Sequence, residues 1–231
     1  MDDDRAITTT DGRTSTLVAR WAGTLGVLIP AVAIPIYPIW FFPSTQTSGA
    51  EIARWASAHH DRLVIAQLLY TVGVGLWLVF GAAVWTHLRN RLPSGSPLAA
   101  GFGVGFVGLV TLVLAGFTVF NVQIYRPRSP ELSTLLYDLA FGMLAMSGVP
   151  AAVALGCFAI AVYRHHVMRR STAHIAAVAA VAHILLPVAF IAPTGALSLQ
   201  GFLVVWAIPL LLFAWIGQTA RTISAGTTIE R

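Results

Sequence analysis

From Ser171 to Ala220 the chain runs fifty residues without a single Asp, Glu, Lys or Arg. Water cannot solvate such a stretch in a folded soluble domain, and as one helix it would be about 75 Å long at 1.5 Å per residue. A bilayer core is about 30 Å thick and takes roughly 20 apolar residues per crossing. Pro193-Thr194-Gly195 supplies a turn that divides the run into two crossings. The chain therefore reads as a membrane protein.

Apolar runs give six spans, 21–42, 63–88, 98–120, 139–163, 173–192 and 201–220, none of which contains Asp, Glu or Arg. The expected fold is all-α: a polytopic membrane protein with a tail at 1–20, a six-helix transmembrane domain at 21–220 and a second tail at 221–231. Charged residues make up 10%, against about 25% in soluble domains, which leaves no room for a separate soluble catalytic domain. The net charge of +5 sits at span ends, where it sets orientation and meets anionic lipid, so no nucleic acid partner is expected. A single cysteine, Cys157, excludes an intrachain disulfide or a thiolate metal cage. All 14 basic residues are Arg, which points to a bacterial source and the plasma (inner) membrane. The polar start, with Asp2, Asp3 and Asp4, lacks the apolar core and small-residue site of a cleaved signal peptide.

Arg distribution orients the spans. Ten Arg fall in the two tails and the loops after spans two and four. Only Arg54, Arg62, Arg126 and Arg128 fall on the other side, where Glu51, Asp61, Glu131 and Asp138 balance them. Both termini are thus expected in the cytoplasm, with Trp21, Trp40 and Trp85 as anchors near span ends. In the first outer segment, Ser48-Gly-Ala-Glu51 matches a capping box, and Ile52, Trp55, Ala56 and His59 recur at helical spacing. A short interfacial helix over 48–60 is expected there. Ser129-Pro130-Glu131 reads as a second helix start.

Gly101, Gly105 and Gly108 share one face of span three and let backbones approach closely. That face either packs within the bundle or forms a homo-oligomer seam; Phe106, off that face, should tolerate substitution. The G-x-G-x-x-G at 103–108 follows no strand, so a dinucleotide site is not inferred. Pro30, Pro150 and Pro209 fall near span centres and Pro187 further along span five. They should unbond the carbonyls of Gly26, Met146, Val205 and His183. Such interruptions either mark a transporter-type binding site or are static kinks.

His183 stands near the midplane of span five, where an ionisable residue should face the bundle and have a partner or a function. It either bonds a neighbouring helix or lines a ligand cavity with Ser147, Gln67 and Tyr70, the nearest polar residues, beside Thr71. His87, His165, His166 and His174 gather at the cytoplasmic rim as an alternative metal or haem set, beside Arg-rich loops. His59-His60 and His165-His166 fall on opposite sides and cannot share a metal. No span holds a carboxylate, which disfavours ion-coupled pumping and a Ser-His-Asp hydrolase.

The segment Glu51-Ile-Ala-Arg-Trp-Ala-Ser-Ala-His-His-Asp-Arg62 running into span two, and His87-Leu-Arg-Asn-Arg91 at its end, carry a further resemblance. In span count and order the chain resembles a broad group of uncharacterised bacterial, actinobacterial-type six-helix integral membrane proteins of the domain-of-unknown-function kind. The resemblance implies a six-helix membrane protein and no activity. The expected function is non-enzymatic: binding or moving a small or lipid-like molecule within the bilayer, with no cofactor. The alternative is a haem- or metal-bearing membrane enzyme or electron carrier. The lipid bilayer is the expected partner.

Overall fold

Long apolar segments with paired backbones can fold only as helices or closed barrels in lipid, and every regular element among the described residues is helical. The computed structural model describes residues 3–38, 41–192 and 194–225, with side chains between residues 16 and 223. Trp40, Pro193 and residues 226–231 of the second tail lie outside the described residues. In chain order the helices are α1 (Asp3–Ile36), α2 (Gly49–Ala58), α3 (His60–Arg91), α4 (Pro97–Tyr125), α5 (Pro130–Met146), α6 (Gly148–His165), α7 (Arg170–His183) and α8 (Ile208–Ala225). Six segments are long and apolar enough to cross a membrane: Thr16–Ile36, His60–Arg91, Pro97–Tyr125, Pro130–His165, Arg170–Phe190 and Leu203–Ile223. Each overlaps one expected span.

The ends differ for identifiable reasons. Helix α1 absorbs most of the polar segment expected as a tail and stops at Ile36, short of residue 42, where Pro35 and Pro38 withhold amides. Ser96 and Ser129 cap α4 and α5 through their hydroxyls, each followed by Pro at the first helical position. Helix α4 continues past residue 120 to Tyr125. Span four is not one helix but two, α5 and α6, parted at Ser147. Pro150 offers no amide to Met146, and the chain turns there, with Ser147 N donating to Met143 O at 3.1 Å. Helix α7 ends at His183, and a 3-10 segment, Leu186–Phe190, carries Pro187. Before α8 a π turn, Leu203–Ala207, takes up Pro209; Ile208 N donates to Leu203 O five residues back.

Helix α2 has the Ser48 half of the expected capping box; Glu51 meets the Ser48 hydroxyl instead of its amide. Ser48 Oγ accepts from Glu51 N at 3.4 Å and donates to Glu51 Oε2 at 3.1 Å. Its Ile52 and Ala56 are buried, and it packs against α5.

Helix α1 packs on α3 and α8; α4 packs on α3, α5 and α6; α7 packs on α6 and α8. The main core lies in the half nearer the two tails. Trp215 of α8 sits at its centre, with ring centroids of Phe158, Phe80, Phe106 and Phe102 at 5.1, 5.7, 6.0 and 6.1 Å. A second core, around Tyr37, Ile52, Phe120 and Tyr137, joins α2 to the opposite end of the bundle.

The glycine face of α4 is taken up by α6. A methyl at Gly105 would lie 2.7 Å from Pro150 O, one at Gly101 2.6 Å from Cys157 Sγ, and one at Gly108 3.0 Å from Pro150 Cβ. Phe106 is not the tolerant position expected from sequence. It is buried, stacked on Phe102 at 5.4 Å and pressed against Gly81, because the 102/106 face of α4 looks into the Trp215 core.

Candidate functional site

The polar residues proposed for the midplane lie on α3, at the junction of α5 and α6, and at the end of α7. Gln67 and Tyr70 sit about a turn apart on α3. Gln67 is buried with Nε2 unpartnered among the described residues, and Tyr70 packs at 6.2 Å from Phe117. Thr71 Oγ1 donates to Gln67 O at 2.8 Å. Ser147 and His183 lie where α6 begins beside the end of α7; a methyl on Gly148 would collide with His183 O. Ser147 Oγ donates to Leu144 O at 2.6 Å. The His183 ring is 2% exposed and its Nδ1–H donates to Ala179 O at 2.7 Å, in its own helix rather than in a neighbouring one. Both side chains spend a hydrogen on a local carbonyl, as polar groups do when the surroundings are apolar.

The four histidines at the tail end make separate contacts. His87 Nε2–H donates to Val167 O at 3.1 Å, and His174 meets Tyr163 edge-on at 5.5 Å. His165 and His166 are exposed, and His166 ends α6 in the left-handed region with φ 52°. Among the described residues no three His, Cys, Asp or Glu side chains converge as a metal site requires. Asp138, one of the acids read on the outer side, lies within α5, the helix whose start is read at Ser129, with Oδ1 buried and without a partner among the described residues.

Polar chemistry concentrates at the α2 end. One network closes the bundle: Trp55 Nε1 donates to Tyr37 OH at 2.6 Å, and Tyr137 OH donates to Pro43 O at 2.6 Å. Gln200 ties three segments together. Its Nε2 donates to Tyr137 OH at 2.8 Å and to Pro43 O, and its Oε1 accepts from Thr45 N at 2.5 Å.

Beside that network an open cleft of about 370 Å³ lies between the end of α2 and the end of α4. Ala53, Ala56 and Ile124 form apolar wall, and Ser57, His60 and Gln123 add polar groups. Arg126 and Arg128 complete it, and no carboxylate lines it. The local chain explains the arrangement. Helix α4 ends with carbonyls that lack helical partners. Two of them are capped from outside the helix: Ile124 O accepts from His60 Nδ1–H at 2.8 Å, and Val122 O accepts from Arg128 Nη2 at 2.7 Å and Nε at 3.1 Å. Arg128 therefore balances the negative end of the α4 dipole. Arg126 is exposed and has no such partner among the described residues. Gln123 is 2% exposed, yet neither Nε2 nor Oε1 has a partner among the described residues. A buried amide left unpaired costs about 1–3 kcal/mol, so this one is the most conspicuous polar group in the cleft.

The apolar run of span three ends at residue 120, which by sequence puts Gln123 in a loop, whereas α4 continues to Tyr125 and carries Gln123 on its last turn. A signal was available: Gln123, Arg126 and Arg128 cluster directly after an apolar span.

These elements define a class, an all-helical chain with six helices long and apolar enough to cross a membrane and a cationic cleft at one end. No protein-family model, curated protein or solved structure matches the chain.

Proposed function

We propose that the chain is a non-enzymatic integral membrane protein of a bacterial plasma membrane that binds or moves a small or lipid-like molecule. Both termini face the cytoplasm in this reading, which puts the α2 end and its cleft outside. One observation carries the reading: a cleft of about 370 Å³, within the range typical of ligand pockets, is lined by Arg126, Arg128 and no carboxylate, and by Gln123, whose buried amide has no partner among the described residues. His183 and Ser147 then serve the fold, since their side-chain hydrogens are committed to Ala179 O and Leu144 O.

Solvent extraction of the detergent-purified protein followed by mass spectrometry tests the reading. A molecule enriched at near one per chain over the bulk membrane extract is expected, as is a rise in melting temperature when it is added back. No enrichment, together with no melting shift across a panel of lipids and metabolites, would reject the reading. Strong visible absorption of the purified protein would instead favour a haem-bearing alternative.

A further inference from the structure

Resting on the reading above, we propose that the cleft between α2 and α4 recognises the phosphate of an anionic phospholipid headgroup, with Arg126 supplying the charge and Gln123 an orienting hydrogen bond.

Charge comes first. Two cationic side chains and no carboxylate face the cleft. Arg128 has turned two of its donors onto Val122 O, so its charge offsets the carbonyl end of α4. No hydrogen bond or ion pair among the described residues engages Arg126, and a guanidinium binds phosphate oxygens through paired N–H donors. Hydrogen bonding comes next. The Gln123 amide is closed to solvent and has no partner among the described residues to hold it there; turned toward a headgroup, it donates through Nε2 to a phosphate oxygen and accepts at Oε1 from a glycerol hydroxyl. His60 Nδ1–H is held by Ile124 O, which leaves Nε2 as an acceptor for a headgroup hydroxyl. The Ser57 hydroxyl lies on the α2 side of the cleft.

The apolar surroundings select a lipid over a free anion. Tyr125 lines the cleft and is 74% exposed. One turn back, exposed Val122 continues toward Thr118, on a helix long and apolar enough to cross the membrane. A headgroup in the cleft would therefore have its acyl chains against α4, with Tyr125 at the boundary between head and tail, where amphipathic rings are favoured.

The test uses the full-length protein in dodecyl maltoside, with melting temperature and native mass spectrometry as readouts. Phosphatidylglycerol, phosphatidylcholine and inorganic phosphate are titrated separately. Phosphatidylglycerol is expected to bind with a saturable shift, at least several-fold tighter than phosphatidylcholine, and inorganic phosphate to give none. Arg126→Ala should weaken phosphatidylglycerol about tenfold, the size expected for a lost charge-assisted hydrogen bond. Gln123→Leu should also weaken it while leaving the lipid-free melting temperature equal or higher, because the unpaired amide is gone. Arg54→Ala removes an exposed charge from α2 outside the cleft lining and should leave affinity unchanged. Equal loss with Arg54→Ala, or none with Arg126→Ala and Gln123→Leu, would overturn the proposal. So would equal binding of phosphatidylcholine, or a shift with inorganic phosphate alone. These results would leave ligand binding itself standing; the absence of binding by any lipid or metabolite would remove the broader reading as well.

Discussion

Trp77 Nε1 donates to Gly26 O at 2.9 Å, and that carbonyl is the one Pro30 deprives of its helical partner. A membrane offers no water to satisfy it, so α3 supplies the donor from across the helix interface. One turn earlier on α3, Gly73 makes room for the Pro30 ring, which a methyl there would strike. A proline defect and its repair thus form one contact between α1 and α3.

The pairing predicts coupling. Trp77→Phe should cost about 1–2 kcal/mol in the native background, since it strands a buried carbonyl. In a Pro30→Ala background residue 30 regains an amide for Gly26 O, and the same change should cost measurably less. Denaturant or thermal melts of the four proteins give the cycle. An equal cost in both backgrounds would refute the repair.

The glycine face of α4 predicts a position-specific penalty. Gly105→Leu should lower stability by several kcal/mol, because Pro150 O and Ala154 N already lie 2.7 and 2.8 Å from where its first carbon would sit. Val107→Leu, at a side chain 55% exposed, should change melting within about 0.5 kcal/mol. Comparable losses at both sites would show that the face is not close-packed against α6.

Gly148 and Gly156 of α6 make a second contrast. A methyl at Gly148 would meet His183 O, so Gly148→Ala should push α7 away and cost about 1–3 kcal/mol. Gly156 has open space around it, and Gly156→Ala should stabilise by up to about 1 kcal/mol through helix propensity. Melting curves that rank the two variants in the opposite order would contradict the described junction of α6 and α7.

Gln200→Leu should loosen the α2 end without unfolding the bundle. It removes the bonds to Tyr137 OH, Pro43 O and Thr45 N. Hydrogen exchange over 41–48 should accelerate while exchange around Trp215 stays unchanged. Uniform acceleration would make Gln200 part of the global core instead.

Orientation is checked by single cysteines in a Cys157→Ala background. Gln46 and Thr194, exposed at the α2 end, should react with an impermeant thiol reagent applied from outside. Ser94 and Ser171, exposed at the tail end, should react only after the membrane is opened. The reverse pattern would invert the proposed topology.

The membrane character of the chain followed from local composition, since no packing arrangement can hide fifty uncharged residues from water in a protein of 231. Each of the six apolar segments had to pair its own backbone, and helical geometry does that without any partner. The α2 cap was equally readable, because Ser48 and Glu51 interact across three residues. Proline positions likewise announced which carbonyls would lose their amides. How each loss is met depends on what lies alongside: Trp77 for Gly26, a helix break at Ser147, and a π turn before Pro209. One wall of the cleft, residues 123–128, is contiguous in sequence, but the cleft itself is made by tertiary structure. Ser57 and Arg126 are remote in sequence, and only the packing of α2 across the bundle end brings both to the cleft that holds the Gln123 amide. Periodicity reports which face of a helix is apolar, but a polar side chain's partner is chosen by its neighbours in space.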